Sequence, residues 1–305
     1  MEKIDAAIIG AGPAGLTAGM YLHLRGRKTI LFEANLPGGN AENIPLLQNY
    51  PGLESMTGNA FVKRLVNQVK QFNVSILERH EVVDISVKDQ EKIVKVQAPQ
   101  GIKEYSCKVV FLCIGGDHQH LGIPGESDYQ YKGISYCAVC DGSIFTGKKV
   151  AVIGNGNQGA QSALYMSQIA RKTFYITHGP AKFDKFYRDQ LEEKDVEFFV
   201  GYDVKEFKGD ETGLKRVVFE KDGEEISKKI KGAFIAAGTS SLPALPQKIG
   251  CELDGEGRII VSTVGETNIP GIYAAGDCIH GSDHYIASAI GLAVRSVSDS
   301  DKYFE

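Results

Sequence analysis

The sequence has no apolar run that reaches the roughly 18 residues of a membrane-spanning helix. Its beginning, Met1 to Asp5, passes directly into a strand-like segment without the pattern of a signal peptide. A formal net charge of -4 gives no electrostatic reason to expect nucleic acid or an anionic membrane as the main partner. These absences predict a soluble, cytoplasmic protein that binds neither nucleic acid nor membranes.

Cysteine is scarce and unevenly spaced, with six residues among 305. This set is too small for the disulfide framework of a secreted protein, and only Cys137 and Cys140 lie close together. A separation of three residues lets two thiols close a small disulfide. Half of a zinc site is the alternative, but the sequence contains no second C-x-x-C. The pair therefore predicts redox chemistry and no metal site.

Asp141 follows the cysteine pair directly. A carboxyl group at this position is a candidate proton donor and acceptor when a thiolate leaves or attacks. The alternative is a turn or capping residue before Gly142. The predicted catalytic residues are Cys137, Cys140 and Asp141.

A glycine-rich turn near the start of the chain has G-x-G-x-x-G spacing and lies between a strand-like run, residues 4–9, and a helix-like run, residues 13–25. In such turns the helix N-terminus holds a pyrophosphate. A second strand-like run, residues 29–32, ends at Glu33, which can accept hydrogen bonds from a ribose. The motif predicts a dinucleotide site formed by Gly10, Gly12, Pro13, Ala14, Gly15 and Glu33.

The same pattern returns 144 positions later, where the strand-like run 149–153 leads into Gly154–Gly159 and a helix-like run, residues 160–170. Residues 271–277 form a further strand-to-glycine element, so we expect the end of the chain to rejoin the first domain. The sequence thus predicts an α/β fold with two Rossmann-like, three-layer nucleotide-binding domains, the second inserted into the first. The predicted bounds are 1–115 and 241–305 for the first domain and 116–240 for the insertion.

The second glycine motif differs from the first where specificity is decided. Its second strand, residues 173–176, is followed by residues 177–182, Thr-His-Gly-Pro-Ala-Lys. This segment has no carboxylate for a ribose 2′-hydroxyl and no arginine pair for a 2′-phosphate. NADPH binding is therefore doubtful; a working nicotinamide site and a retained scaffold both stay open.

Several motifs are similar to those of the low-molecular-weight thioredoxin reductases, and the resemblance covers nearly the whole chain. They are Gly10–Gly15, Pro37–Gly39, Asn49–Gly52, Cys137–Gly142 and Ala274–Asp277. The resemblance implies that the first domain holds FAD, with Gly39 and Gly276 at the cofactor, Asp277 on the ribitol chain and Asn49 near the isoalloxazine ring. It also implies that Cys140 faces the flavin, that Cys137 attacks a disulfide of a thioredoxin-like dithiol protein, and that the enzyme is a homodimer.

The chain departs from this family at three places. Residues 178–182 lack the arginines of NADPH-dependent members, His284, Tyr285 and Ile286 replace an Arg-Gln-Ala segment near the flavin, and Asn40 replaces a glutamine. Similar losses occur in ferredoxin-dependent flavin thioredoxin reductases, which makes reduced ferredoxin a candidate electron donor. The alternatives are an NADPH-dependent enzyme with an atypical clamp and a flavin-bound redox sensor without turnover.

Basic residues are frequent between residues 171 and 188. The interval contains Arg171, Lys172, Lys182, Lys185 and Arg188 against one acidic residue, Asp184. Such a charge distribution attracts an acidic partner such as ferredoxin. An ordinary solvated face is the alternative.

Overall fold

The computed structural model describes residues 1–44, 47–88, 91–118, 120–130, 132–194, 196–237, 239–240 and 244–304. The chain divides into two compact units. Unit 1 comprises Met1–Glu42, Gln48–Asp117 and Ser240–Glu305, and unit 2 comprises Asn43–Leu47 and His118–Thr239. The predicted boundary after residue 240 adjoins residues 241–243, which lie outside the described residues.

Strands and helices alternate in some parts of the chain, and in others several strands follow one another. The strands are β1 Glu2–Lys3, β2 Ala6–Ile9, β3 Thr29–Glu33, β4 Ser75–Glu78, β5 Glu81–Lys88, β6 Glu91–Ala98, β7 Gly101–Cys107, β8 Val109–Leu112, β9 Asp117–His118, β10 Ile134–Ser135, β11 Lys149–Ile153, β12 Lys172–Thr177, β13 Glu197–Val200, β14 Asp203–Asp210, β15 Gly213–Lys221, β16 Glu224–Lys229, β17 Gly232–Ile235, β18 Thr239–Ser240 and β19 Ile272–Ala274. The α-helices are α1 Pro13–Leu24, α2 Gly58–Gln71, α3 Glu126–Tyr129, α4 Ala138–Asp141, α5 Asn157–Ile169, α6 Lys185–Glu193, α7 Ala244–Ile249 and α8 Ile286–Ser300. Short 3-10 helices span Gly39–Asn43, Gly142–Phe145 and Asp301–Tyr303.

Unit 1 is built on a parallel five-stranded sheet in the order β19-β8-β2-β3-β4. All four residues of β2 and of β8 are buried, as expected for strands covered on both faces. A second sheet, β1-β7-β6-β5, shares one hydrophobic core with the parallel sheet, in which the rings of Phe32 and Tyr105 lie 4.9 Å apart. Helix α1 contacts α8 and the strands β2 and β3.

Unit 2 repeats this architecture with the parallel order β10-β17-β11-β12-β13. One core lies between this sheet and helices α5 and α6 and includes Tyr187 and Leu191. A second core includes Phe207 and Phe219 of the antiparallel sheet β14-β15-β16. The predicted α/β fold with two Rossmann-like sheets is therefore confirmed.

Each parallel sheet has a point at which the strand order reverses, beside β2 in unit 1 and beside β11 in unit 2. Ligands of such sheets bind in the crevice at the carboxyl ends of these strands. The predicted start of the second helix at residue 160 was wrong by three residues, since α5 begins at Asn157. The helix begins earlier because the glycine motif itself supplies its first turn. In the described part of the chain, no helix combines the length and apolarity needed to cross a membrane.

Candidate functional site

The two cysteines of the C-x-x-C motif form a disulfide, with an S–S distance of 2.03 Å. They lie in unit 2 just after the edge strand β10, and Cys137 caps the short helix α4: its Sγ accepts a hydrogen bond from the amide of Cys140 at 3.1 Å. Cys137 is partly buried, whereas Cys140 is exposed. The predicted redox pair is thus closed in its oxidised form.

Ser135 links the disulfide to Asp141. Its hydroxyl donates to Oδ2 of Asp141 at 2.6 Å and accepts from the amide of Cys137 at 3.0 Å. The amide of Asp141 donates to the carbonyl of Cys137 at 3.2 Å. These bonds hold the carboxyl group beside the disulfide turn. We did not single out Ser135 from the sequence, although a serine two residues before a turn commonly bonds to the following backbone.

Asn43 contacts both sulfur atoms of the disulfide. Its Oδ1 lies 3.6 Å from Sγ of Cys137 and 3.7 Å from Sγ of Cys140, within unit 2. Disulfide sulfurs have no proton, so these are van der Waals contacts in the oxidised form; a thiol formed by reduction has a proton to donate to this oxygen. No sequence pattern indicated this residue, because 94 positions separate it from Cys137.

The first glycine turn lies between β2 and α1, at the crevice of unit 1. Gly10 has φ of +96°, and a Cβ there would lie 2.3 Å from the carbonyl oxygen of Cys113. A Cβ on Gly15 would lie 1.9 Å from the carbonyl oxygen of Gly10. Only glycine fits these two positions. Around Gly12, by contrast, a Cβ would meet nothing within 4 Å.

Glu33 closes the turn from the end of β3. Its Oε2 accepts from the amide of Ala11 at 2.7 Å, and its Oε1 accepts from the amide of Asn35 at 2.8 Å. Each carboxylate oxygen accepts more than one hydrogen bond. The carboxylate therefore has the position and the remaining capacity to accept from a ribose.

Further predicted cofactor residues come together around the turn. Gly39 faces Gly12, since its Cβ would lie 3.3 Å from the Cα of Gly12, and Gly276 faces Ala14 in the same way at 3.5 Å. Asn40 follows Gly39 and donates to the carbonyl of Gly116 at 2.7 Å.

Other predicted residues lie further along unit 1. Pro13 is the first residue of α1. Asn49 is half-buried in unit 1, in the loop that precedes α2.

Asp277 and His284 lie against each other near the N-terminus of α8. His284 has φ of +58°, and its Nδ1 is 3.5 Å from Oδ2 of Asp277. A hydrogen bond with Asp277 raises the pKa of His284 against the opposing effect of burial. Tyr285 is the N-cap residue of α8 and Ile286 is its first residue. The predicted segment 284–286 therefore begins next to Asp277, the residue predicted to bind the ribitol chain.

His280 and His284 are four residues apart, a spacing that metal sites use and that we wrongly took to be absent from the sequence. The structure directs them to different carboxylates. His280 bonds to Oδ2 of Asp254 at 2.8 Å. Burial alone would raise the pKa of Asp254, but hydrogen bonds from His280 and Arg258 lower it. Among the described residues, no group of three or more potential metal ligands is found.

The second glycine turn, in unit 2, is covered by the segment that follows β12. The amide of Lys182 donates to the carbonyl of Asn155 at 2.8 Å. The amide of Asp184 donates to Oδ1 of Asn157 at 2.9 Å, and Nδ2 of Asn157 donates to Oδ2 of Asp184 at 3.1 Å. His178 is paired with Asp203. A carboxylate thus lies at the first turn of α5.

The crevice of unit 1 fits an adenine dinucleotide such as FAD. Helix α1 has Gly12 as its N-cap residue without a side-chain cap, and Gly12 borders open space. No side chain caps the amides of the first helical turn, so these amides can donate hydrogen bonds to a pyrophosphate. Glu33 would hold the ribose. Two dinucleotide-type units, one with a redox disulfide, define the class of disulfide oxidoreductases.

Comparison with known proteins extends this result. A family model described as pyridine nucleotide-disulphide oxidoreductase matches residues 4–298. A thioredoxin reductase of Listeria monocytogenes is 33% identical over 316 residues, which cover 100% of this chain and 95% of the relative. Crystal structures of thioredoxin reductases from T. acidophilum and Lactococcus lactis are each 30% identical, with TM-scores of 0.95 and 0.92; the first covers 100% of both chains and the second 98% of both. The chain belongs to the low-molecular-weight thioredoxin reductase family, whose members are flavin-dependent disulfide oxidoreductases that use FAD.

Proposed function

We propose that this enzyme reduces a thioredoxin-like dithiol protein through Cys137 and Cys140, with electrons that enter from reduced ferredoxin rather than from NADPH. The observation that carries the proposal is the joint placement of the disulfide and Asp141 on one turn of unit 2. The names of the similar reductases support a thioredoxin as substrate. In this proposal, residues 1–115 and 241–305 form the FAD-binding domain and residues 116–240 the inserted domain.

FAD, when bound, supplies the two electrons that reduce the disulfide. With two protons, this cleaves the Cys137–Cys140 bond and gives two thiols. The Cys137 thiolate then attacks a disulfide of the partner and forms a mixed disulfide. Attack by the Cys140 thiolate on Sγ of Cys137 releases the reduced partner and re-forms the enzyme disulfide. Asp141 exchanges protons with the thiols in these steps.

The covered glycine turn of unit 2 supports a donor other than NADPH. In a dinucleotide site, the pyrophosphate lies at the N-terminus of the helix that follows the turn. Here Asp184 brings a carboxylate to that position through its hydrogen bonds with Asn157. The negative charge of this carboxylate repels that of a phosphate group. The residues of this turn therefore fit a phosphate group poorly.

Basic side chains on unit 2 support an acidic protein as donor. β12 separates the basic interval seen in the sequence: Arg171 and Lys172 lie at its amino end, whereas Lys182, Lys185 and Arg188 follow its carboxyl end. At the amino end, five basic side chains and Glu197 line one cleft; the five are Lys149, Arg171, Lys172, Lys228 and Lys229. Such crowding of positive charge attracts acidic proteins.

Anaerobic mixing of the FAD-loaded enzyme with each donor tests the proposal. We expect reduced ferredoxin to bleach the flavin absorption band and NADPH to leave it unchanged. Dithionite serves as the positive control for a reducible flavin. Rapid bleaching by NADPH would refute the assignment of the donor. Steady-state reduction of thioredoxin with the productive donor then separates an enzyme from a redox sensor, since a sensor shows no turnover.

The assembly and location of the enzyme also remain proposals. We propose a homodimer, as the family resemblance implies. We also propose a cytoplasmic location, because protein thiols, including those of a thioredoxin-like substrate, are kept reduced there. The mass of the FAD-loaded enzyme measured by light scattering during size-exclusion chromatography tests the first; a monomeric mass would contradict it.

A further inference from the structure

The hydroxyl of Ser135 has two acceptors within hydrogen-bonding distance but only one proton. It lies 2.6 Å from Oδ2 of Asp141 and 3.2 Å from the carbonyl oxygen of Cys137. The amide of Cys137 donates to the same hydroxyl oxygen at 3.0 Å. Ser135 is only 7% exposed, so water does not readily replace these partners. The hydroxyl can therefore donate a hydrogen bond to only one of the two acceptors at a time.

The charge of Asp141 decides this choice. When the carboxylate is ionised, it is the better acceptor. It then accepts the hydrogen bond from the Ser135 hydroxyl, in agreement with the short distance of 2.6 Å. When Asp141 carries a proton, its carboxyl group becomes a donor and needs an acceptor. The Ser135 hydroxyl oxygen can accept this hydrogen bond with its second lone pair. The hydroxyl can then rotate and donate its own hydrogen bond to the carbonyl of Cys137.

The carbonyl oxygen of Cys137 can accept a hydrogen bond from that hydroxyl. It accepts from the amide of Asp141 at 3.2 Å, and a carbonyl oxygen has two lone pairs. Both arrangements therefore leave every polar group of the turn with a partner. They differ only in the rotation of one O–H bond, which needs no movement of the backbone.

We propose that Ser135 is a positioning residue that serves both protonation states of Asp141, donating to the carboxylate and accepting from the carboxylic acid. This inference rests on the proposed role of Asp141 as the group that exchanges protons with the cysteine thiols. Its consequence is that Asp141 keeps one position through the catalytic cycle, because a partner is present before and after each proton transfer.

The test uses the FAD-loaded enzyme and measures thioredoxin reduction from pH 5 to 9 with the donor that supports turnover. We expect Ser135→Ala to lower kcat about tenfold, since it removes a hydrogen bond to a charged group, and to move the pH optimum. Ser135→Thr keeps the hydroxyl and should restore most of the rate and the original optimum. Ser162→Ala removes a hydroxyl from another buried serine of unit 2 and should change neither.

A double-mutant cycle separates positioning from a general effect on the fold. In an Asp141→Asn background, Ser135→Ala should change kcat less than about twofold, because the group that it serves is already gone. Should the alanine variant not fold, Ser135→Val replaces it, since valine matches threonine in shape without the hydroxyl. Additive losses, or equal rates for the variants with and without the hydroxyl, would overturn the inference.

The same cycle tells this inference apart from the proposed function. If Asp141→Asn alone leaves the rate and its pH profile unchanged, the proposed role of Asp141 fails. If Asp141→Asn impairs the enzyme while Ser135→Ala behaves as wild type, only the role of Ser135 fails.

Discussion

The amide of Ala11 donates a hydrogen bond of 2.7 Å to Oε2 of Glu33. This bond joins the glycine turn after β2 to the end of the neighbouring strand β3 across 22 positions of sequence. It holds the carboxylate at the end of β3, beside the glycine turn. We therefore expect Glu33 to act on FAD directly, through the ribose, and indirectly, through the geometry of the turn.

Glu33→Gln should lower the affinity for FAD about tenfold, because the neutral amide is a weaker acceptor than the carboxylate for both the ribose and the amide of Ala11. Recovery of flavin fluorescence on dilution of the holoenzyme measures the release of FAD. Glu78→Gln is the matched control, since Glu78 pairs with Glu33 in register on the next strand and is exposed. Equal affinities in wild type and Glu33→Gln would contradict the role of the carboxylate.

Two glycines of one turn should respond differently to alanine. Gly15→Ala places a methyl group 1.9 Å from a backbone oxygen and should destabilise the apoprotein by about 3 kcal/mol or more. Gly12→Ala meets no atom within 4 Å in the protein and should cost only about 1 kcal/mol as a poorer N-cap residue, but it should weaken FAD binding at least about tenfold. Denaturant unfolding of the apoproteins and FAD titration measure the two effects; similar stabilities would contradict the expected clash.

The two cysteines should differ in their communication with the flavin. If Cys140 is the thiol nearest the flavin, the reduced Cys137→Ser variant should retain a long-wavelength charge-transfer band between thiolate and flavin. Cys140→Ser should lose this band. Absorption spectra of the two FAD-loaded variants provide the comparison, and the reverse pattern would exchange the two assignments.

The pair of His284 and Asp277 should make the stability of the apoprotein depend on pH. Because the hydrogen bond to Asp277 raises the pKa of His284 above 6.5, the pair contributes fully below about pH 6.5 and loses its contribution as pH rises through the raised value. The side chain of His284 is 43% exposed, so solvent screening limits the contribution to under about 1 kcal/mol.

His284→Asn is the suitable variant, since asparagine tolerates the left-handed backbone at this position. The difference in thermal midpoint between wild type and variant should be larger at pH 5.5 than at pH 9. A His284→Asn difference that does not fall with rising pH would contradict the ion pair.

The parts of the molecule that follow from the sequence are local. The run from β2 through Gly10–Gly15 to α1 identified a dinucleotide turn because strand, turn and helix are contiguous and because only glycine fits where a Cβ would strike a backbone oxygen. The same holds for the disulfide, since three residues of separation already bring Cys137 and Cys140 within bonding distance. The family resemblance rested on these contiguous motifs.

Only the tertiary structure decided which side chains surround them. It brought Asn43 to the sulfur atoms over 94 positions, and it brought Asp184 to the first turn of α5 over 27. It also turned the hydroxyl of Ser135 toward Asp141. Such contacts depend on how loops pack after the strands have paired, and loop packing leaves no periodic or spacing signal in the sequence. The redox pair and the glycine turns were therefore predictable from the sequence, whereas the groups that position and shield them were not.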